Sequence, residues 1–339
     1  MSSFDSPFDV IYKNEQVIEY FKRAIASGSL PHAHIIEGAE GSGKRTLVTA
    51  IAKALSPEYA DKIESSNEPD IITVGLEGEK KTIGVDSIRA LKQRASLTPN
   101  ELDYLMFIIE DADTMTNSAQ NSFLKLLEEP PSNVYMFLLC KSQNSLLPTV
   151  ISRAPIVRMQ LFSEVEITDF LINNDKKAAE LYNIDREAFE FSVRTAAGSI
   201  GYAKKRMSSR SKSSGVSGAY RTVIDIITSL SKNKKVDFYT HTLNLPQKRD
   251  ELDVIFTCFE EAMRDLMLVK SFSESAKLPS MIFFADEDDA RSLASLFTVT
   301  SVRKMIDILN SNHEILDNNA NIRLLLSVFA NELWAASQL

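Results

Sequence analysis

The chain has 339 residues, of which 44% are hydrophobic, and a formal net charge of −8 at neutral pH. This length predicts two or three domains, and the hydrophobic content suffices for ordinary globular cores. The acidic balance argues against a protein whose whole surface binds nucleic acid, so any DNA contact must come from a local basic patch or from partner subunits. The sequence contains no run of about 18 apolar residues, so it predicts no membrane span. The N-terminus lacks the pattern of a signal peptide.

The two cysteines, Cys140 and Cys258, both lie in apolar contexts. This setting predicts buried packing residues rather than a disulfide or a metal pair. A reducing, cytoplasmic compartment fits such cysteine usage.

The first predicted strand, residues 34–37, enters a glycine-rich turn. Residues 38–46 read GAEGSGKRT, which meets the phosphate-loop pattern G-x-x-x-x-G-K-[ST] as far as its lysine. A helix is predicted at 44–55 from its apolar spacing. Because strand, loop and helix follow in the order that a phosphate loop requires, we predict a nucleotide-type site. Its loop residues are Gly38, Gly41, Gly43, Lys44, Arg45 and Thr46.

One residue of this loop departs from the pattern. Arg45 stands where a Ser or Thr hydroxyl should hold Mg²⁺, and a guanidinium has no lone pair with which to ligate a cation. Thr46 lies about 100° further around the helix axis and is not expected to replace that hydroxyl. We therefore predict a degenerate site, with weak binding of ATP and Mg²⁺ and no firmly assigned cofactor.

The next elements alternate between strands and helices. Strands are predicted at 70–74, 105–109 and 134–140, and helices at 85–96 and 118–127. The helix at 118–127 must stop before Pro130, since proline breaks a helix. The near-continuous apolar runs at 105–109 and 134–140 are typical of parallel strands that are buried on both faces. This alternation predicts an α/β P-loop domain with a parallel sheet in three layers.

Two acids follow the strand at 105–109. Glu110 and Asp111 occupy the place where P-loop ATPases hold Mg²⁺ and orient the attacking water, but in the reverse of the usual order. The exchange displaces each carboxylate by about one methylene, which can cost around 10²-fold in rate. The alternative is a pair of solvated acids at a strand end.

Arg153 follows an apolar, strand-like stretch at residues 146–152. It is a candidate arginine finger for a neighbour's γ-phosphate. The alternative is an ordinary surface arginine.

Beyond residue 162 the periodicity becomes helical, with a Ser/Gly-rich hinge at residues 208–218. The predicted domains are 1–162, 163–210 and 211–339. A basic cluster precedes and enters the hinge: Lys204, Lys205, Arg206, Arg210 and Lys212. Of its two interpretations, a solvated helix end is favoured over a DNA-binding patch.

The chain resembles the delta-prime subunits of bacterial DNA polymerase III clamp loaders, which are AAA+ proteins. The resemblance rests on stretches that occur in family order over nearly the whole chain, among them GSGKRTL (41–47), IEDADTMT (109–116), NSFLKLLEEPP (121–131) and LLPTVISR (146–153). Shorter ones lie at 30–38, 69–72, 83–91 and 319–324.

The resemblance implies an AAA+ P-loop domain at 1–162, a small helical lid at 163–210 and an all-helical collar for oligomerisation at 211–339. It makes Arg153 of Ser-Arg-Ala an arginine finger acting in trans, and it puts Ser142 near the first sensor position. Gly201 stands where motor subunits carry an arginine sensor. Residues 56–68 contain no cysteine, so the four-cysteine Zn²⁺ site of many relatives is not expected.

The expected function is that of a stationary clamp-loader subunit without an independent ATPase, within the DNA polymerase III holoenzyme. Its expected partners are the motor subunits and the delta subunit of a hetero-pentamer, with the sliding clamp and primed DNA reached through the complex and no membrane contact. The alternatives are a self-sufficient AAA+ ATPase of motor type, which Lys44 and the two acids favour, and a DNA-binding adaptor without a ring.

Overall fold

The computed structural model describes residues 6–76, 78, 81–208, 216–273, 278–279, 281–317 and 321–339. The chain divides into two compact units, Met1–Leu161 and Phe162–Leu339. None of the helices in the described ranges combines the length and the apolar character that a membrane span needs.

The first unit contains a five-stranded parallel sheet in the order β2-β3-β4-β1-β5. Its strands are β1 (Ala33–Glu37), β2 (Ile71–Val74), β3 (Leu105–Ile109), β4 (Val134–Cys140) and β5 (Ile156–Arg158). Its α-helices are α1 (Glu15–Ala26), α2 (Lys44–Leu55), α3 (Ala60–Glu64), α4 (Val85–Ala95), α5 (Asn117–Glu128) and α6 (Pro148–Ile151). β3 and β4 have the bounds that their apolar runs predicted.

Alternate residues of each strand enter two different cores, one on each face of the sheet. Ile35 and Phe107 pack in the core that contains residues of α4 and α5. Ile36 and Ile108 pack in the core that contains residues of α1 and α2. The three-layer α/β arrangement with a parallel sheet is therefore confirmed.

The approach to Arg153 differs from the sequence-based expectation. The strand-like stretch at 146–152 contains the short helix α6, because Pro148 at its first position presets a helical φ. The strand, β5, comes only after Arg153 and has three residues. It forms no long apolar run, so its sequence does not predict a strand.

Among its described residues, the second unit has helices as its only regular secondary structure. Its helices are α7 (Glu164–Asn174), α8 (Lys176–Ile184), α9 (Arg186–Arg194), α10 (Ile200–Ser208), α11 (Val216–Ser231), α12 (Lys235–Leu243), α13 (Arg249–Ser271), α14 (Glu287–Ser295), α15 (Val299–Asp317) and α16 (Ile322–Ser337). Phe191 of α9 belongs to the same core as Phe256 of α13 and Phe329 of α16. The division of this unit into a lid and a collar at residue 210 stays a prediction, and most of the hinge, residues 209–215, lies outside the described residues, as do residues 319–320.

Both cysteines are free thiols and buried, as expected from their apolar surroundings. Burial raises the pKa of Cys140 and of Cys258 to about 12. Both are therefore unreactive packing residues at neutral pH.

Candidate functional site

The predicted nucleotide-site residues of the first unit gather at one edge of the sheet. The glycine-rich loop follows β1, Glu110 follows β3 and Ser142 follows β4. Since these strands are parallel, their carboxyl ends lie at the same edge, where α/β sheets bind ligands. The topology thus brings together residues from three separated stretches of sequence.

The loop between β1 and α2 needs its glycines. Gly41 and Gly43 have φ values of 71° and 90°, a left-handed conformation that side chains disfavour. A Cβ on Gly38 would lie 2.6 Å from Ser42 Oγ and 2.9 Å from Met159 Cβ. This compact turn leads directly into the N-terminus of α2, whose first N–H groups favour anions.

Lys44, the first residue of α2, folds back over the loop. Its Nζ donates to the carbonyl oxygens of Gly38 at 2.5 Å and Ala39 at 2.9 Å. Burial lowers the pKa of Lys44, an effect that the nearby Cys140, Asp111 and Asp113 oppose. The lysine therefore places a cation within the loop.

Arg45, the second residue of α2, reaches towards the ends of β2 and β3. Its Nη1 donates to Thr73 Oγ1 at 2.8 Å and to Glu110 Oε1 at 3.1 Å. The side chains of Arg45 and Glu110 are 38% and 41% exposed, so the ion pair is partly shielded from solvent. The two departures from the P-loop pattern are therefore in direct contact.

The other predicted residues of this edge make local contacts. Asp111 has a left-handed backbone, with φ at 48°, and its carbonyl accepts from Thr114 N and Oγ1 at 2.8 Å. Thr46 is exposed on α2. Ser142 Oγ accepts from Asn144 N at 3.3 Å and so caps a 3₁₀ turn.

Two acids at this edge were missed by the sequence analysis. Glu37, the last residue of β1, accepts from Gln143 N at 3.0 Å and from Arg158 Nε at 2.8 Å, which ties the ends of β1, β4 and β5 together. Asp113 Oδ2 accepts from Lys141 N at 3.3 Å. Of these two acids, only Asp113 has a signal in the sequence, because it belongs to the run of acids at positions 110, 111 and 113.

The residues at this edge do not fit Mg²⁺ in the usual P-loop manner. The position that should offer a hydroxyl carries a guanidinium, and the carboxylate of Glu110 bonds that guanidinium. No group of His, Cys, Asp and Glu side chains suited to a metal ion occurs within the described part of the chain.

Arg153 lies at the opposite edge of the sheet. It precedes β5, whereas the loop residues follow β1, and β5 runs parallel to β1 with Ile156 beside Ile35. Its Nη2 lies 2.6 Å from Glu128 Oε1, and its Nη1 donates to Thr149 O at 2.9 Å. With 34% of its side chain exposed, Arg153 is held at the surface by a defined set of contacts.

Gly201 lies in the second unit, near the start of α10. Having no side chain, it cannot supply the cation that an arginine sensor would. Arg206 of the same helix corrects the prediction of a solvated basic cluster, because it is 7% exposed and pairs with Glu261 of α13 at 2.9 Å. Lys204 pairs with Asp175 at 3.1 Å, and Arg210 and Lys212 lie outside the described residues.

Comparison with known proteins finds similarity to subunits of DNA polymerase III. Residues 13–163 match the family model described as DNA polymerase III, delta subunit. The chain is 32% identical over 194 residues to DNA polymerase III subunit delta' of Bacillus subtilis, which covers 52% of this chain and 58% of the relative. It is 25% identical over 340 residues to subunit tau of the same organism, covering 91% of this chain and again 58% of the relative.

Among solved structures, a DNA polymerase III gamma subunit-related protein from Thermotoga maritima matches with a TM-score of 0.50 and 20% identity. The match covers 94% of this chain and 99% of that one, and it shows a shared fold. The chain spans somewhat more than half the length of the two Bacillus relatives. Taken together, the family model and the relatives show that the chain is similar to clamp-loader-type subunits of DNA polymerase III, and the parallel sheet shows the shared fold.

Proposed function

We propose that this chain has the delta-prime role in a DNA polymerase III clamp loader, as a stationary AAA+ subunit in the cytoplasm. In this role it assembles with motor subunits and a delta subunit into a hetero-pentamer that loads the sliding clamp onto primed DNA. Arg153 contributes an arginine finger to ATP held by the neighbouring motor subunit. Its own nucleotide site is degenerate and does not drive hydrolysis.

The observation that carries this proposal is the separation of Arg153 from the loop. The two lie at opposite ends of parallel strands, and a five-residue strand alone spans about 15 Å. A guanidinium must contact the phosphates to stabilise their transition-state charge. This placement supports action in trans, on a nucleotide bound by another chain.

The state of the chain's own site supports the stationary role. Arg45 occupies the hydroxyl position and bonds Glu110, and Gly201 offers no cation. Each feature removes a group that an ATPase uses to hold Mg²⁺ or to sense the γ-phosphate. Their combination favours a subunit that serves a neighbour's hydrolysis.

The test is Arg153→Ala in the complex reconstituted with motor subunits, clamp and primed DNA. We expect hydrolysis at the contacted site to fall by about 10³-fold or more, the usual contribution of an arginine finger. Single-turnover hydrolysis measures this loss, because steady-state turnover averages over all sites.

Arg23→Ala is the matched control, since Arg23 also pairs with a carboxylate, Glu19, on the surface of the first unit. It should hydrolyse ATP like the unaltered complex. Unchanged DNA-stimulated hydrolysis in Arg153→Ala would show that the finger assignment is wrong.

The competing function is a self-sufficient AAA+ ATPase, which the retention of Lys44, Glu110 and Asp111 favours. Steady-state hydrolysis by the isolated chain separates the two. Turnover of about 1 s⁻¹, at the low end for ordinary enzymes, that is lost in Lys44→Ala would replace the stationary role with the motor role.

A further inference from the structure

The fold family implies a bound Mg²⁺, but two of the positions that would hold it depart from the usual pattern in this chain. Arg45 replaces the hydroxyl residue, and Glu110 stands first in the acid pair where Asp is usual. In sequence they are 65 positions apart, and in the structure Arg45 Nη1 lies 3.1 Å from Glu110 Oε1.

The two changes match each other physically. A Ser or Thr hydroxyl and an Asp carboxylate are short and meet through the metal ion between them. Arginine is long enough to bring its own charge to this place, and Glu is one methylene longer than Asp, so the two groups meet directly. Thr73 Oγ1 accepts a second bond from the same Nη1 at 2.8 Å, which orients the guanidinium.

Arg45 also retains donors for a ligand. A guanidinium carries five N–H donors, and the bonds of Arg45 to the described residues are all made by Nη1. Its Nε and Nη2 donate to no atom of the residues that the structure describes. The side chain is 38% exposed, and Arg45 directly follows Lys44 in the first turn of α2.

The geometry points to a phosphate site that takes a nucleoside triphosphate without Mg²⁺, with Arg45 acting as a fixed cation in place of the metal. Lys44 and Arg45 supply two positive groups, and the N-terminus of α2 adds its positive end. Glu110 offsets the charge of Arg45, and the nearby Asp111 and Asp113 favour the charged form of Lys44. Because the pair of Arg45 and Glu110 occupies the positions of the hydroxyl and the carboxylate, Mg²⁺ finds neither of its usual protein ligands here, and nucleotide binding gains nothing from the metal. The inference rests on the proposed function in treating the loop as an inherited nucleotide site.

The test is a calorimetric titration of the isolated full chain with ATP, once with EDTA and once with excess Mg²⁺. We expect binding in EDTA that is at least as tight as in Mg²⁺. Binding that requires Mg²⁺, or no binding under either condition, would overturn the inference.

Variants of Arg45 and Glu110 test the role of each residue in this binding. Arg45→Ser should weaken binding in EDTA at least ~10-fold, the loss of one charge-assisted contact. The double variant Arg45→Ser with Glu110→Asp should bind in a Mg²⁺-dependent manner, because it restores the hydroxyl and the shorter acid. Arg89→Ser is the matched control, since Arg89 pairs with Asp86 on the exposed surface of α4, and it should bind like the unaltered chain.

Thermal unfolding of each variant separates loss of binding from loss of folding. A double variant that folds but binds identically with and without Mg²⁺ would contradict the role given to Arg45. The titration uses the isolated chain, whereas the role of Arg153 is measured only in the assembled complex, so the failure of one is distinct from the failure of the other.

Discussion

At the scale of single residues, the first unit contains a histidine in an unusual setting. His34 is the second residue of β1 and is fully buried. Its ring stacks on Phe137 with centroids 5.5 Å apart, and its Nε2 lies 3.0 Å from Tyr20 Oη. Burial, aided by the charge of His32, lowers the pKa of His34 to about 4. The folded chain therefore keeps this imidazole neutral.

This setting predicts a loss of stability in mild acid. The unfolded chain takes up the proton near pH 6.5 and the folded chain only near pH 4, so the stabilisation is fully present above pH 6.5 and is lost as the pH falls towards 4. The full difference corresponds to about 3 kcal/mol. Urea unfolding followed by circular dichroism between pH 7.5 and 4.5 measures it.

His34→Phe should flatten this pH dependence, because phenylalanine preserves the stacking but cannot be protonated. His241→Gln, which changes a histidine in the second unit, is the control and should leave the slope in place. Equal slopes in His34→Phe and the unaltered chain would rule out His34 as the source.

At the scale of elements, α10 and α13 are joined by a buried ion pair. Arg206 bonds both carboxylate oxygens of Glu261, at 2.9 and 3.2 Å, and its guanidinium lies over the rings of Phe191 and Tyr202. Burial raises the pKa of Glu261, and the charge of Arg206 opposes that shift. Since α10 precedes the predicted hinge and α13 follows it, the pair connects the predicted lid to the predicted collar.

Arg206→Ala should therefore destabilise the second unit strongly. It leaves Glu261, 15% exposed, without its partner, and breaking a buried pair from one side costs about 3–5 kcal/mol. Urea unfolding followed by the fluorescence of Trp334, the single tryptophan of the chain, measures the loss.

The matched control is Arg221→Ala, because Arg221 is 66% exposed and lies 3.9 Å from Glu187. A surface pair of this kind contributes at most about 1 kcal/mol. If the two variants unfolded at the same urea concentration, the Arg206 pair would have no special role in joining the helices.

At the scale of the whole molecule, each of the two compact units has its own hydrophobic core or cores. A chain with separate cores is expected to depart from two-state unfolding. We predict two urea transitions, with Trp334 reporting only on that of the second unit. His34→Phe should shift the unfolding transition of the first unit. Arg206→Ala should shift only the transition of the second unit, which the fluorescence of Trp334 reports. A single transition seen by both probes would show that the units unfold together.

Much of the fold could be predicted from local pattern. The runs at 105–109 and 134–140 predicted β3 and β4 because a strand buried on both faces is apolar throughout. Residues 44–55 predicted α2, since apolar spacing and good helix formers agree there. The sequence does not predict β5, because three residues are too few to show a period. It predicts a strand-like stretch in place of α6, because the apolar run there is shorter than two helical turns.

The sequence by itself determined the P-loop domain, the positions of the loop glycines, and the departures of Arg45 and Glu110 from the P-loop pattern. These features depend on residue types at short spacing along the chain. Only the tertiary structure decided that Arg45 and Glu110 form a pair, that Arg153 lies at the far edge of the sheet, and that Arg206 is buried against Glu261. Each of these facts joins residues that are distant along the chain. Such contacts are set by strand order and helix packing, which one-dimensional periodicity does not encode.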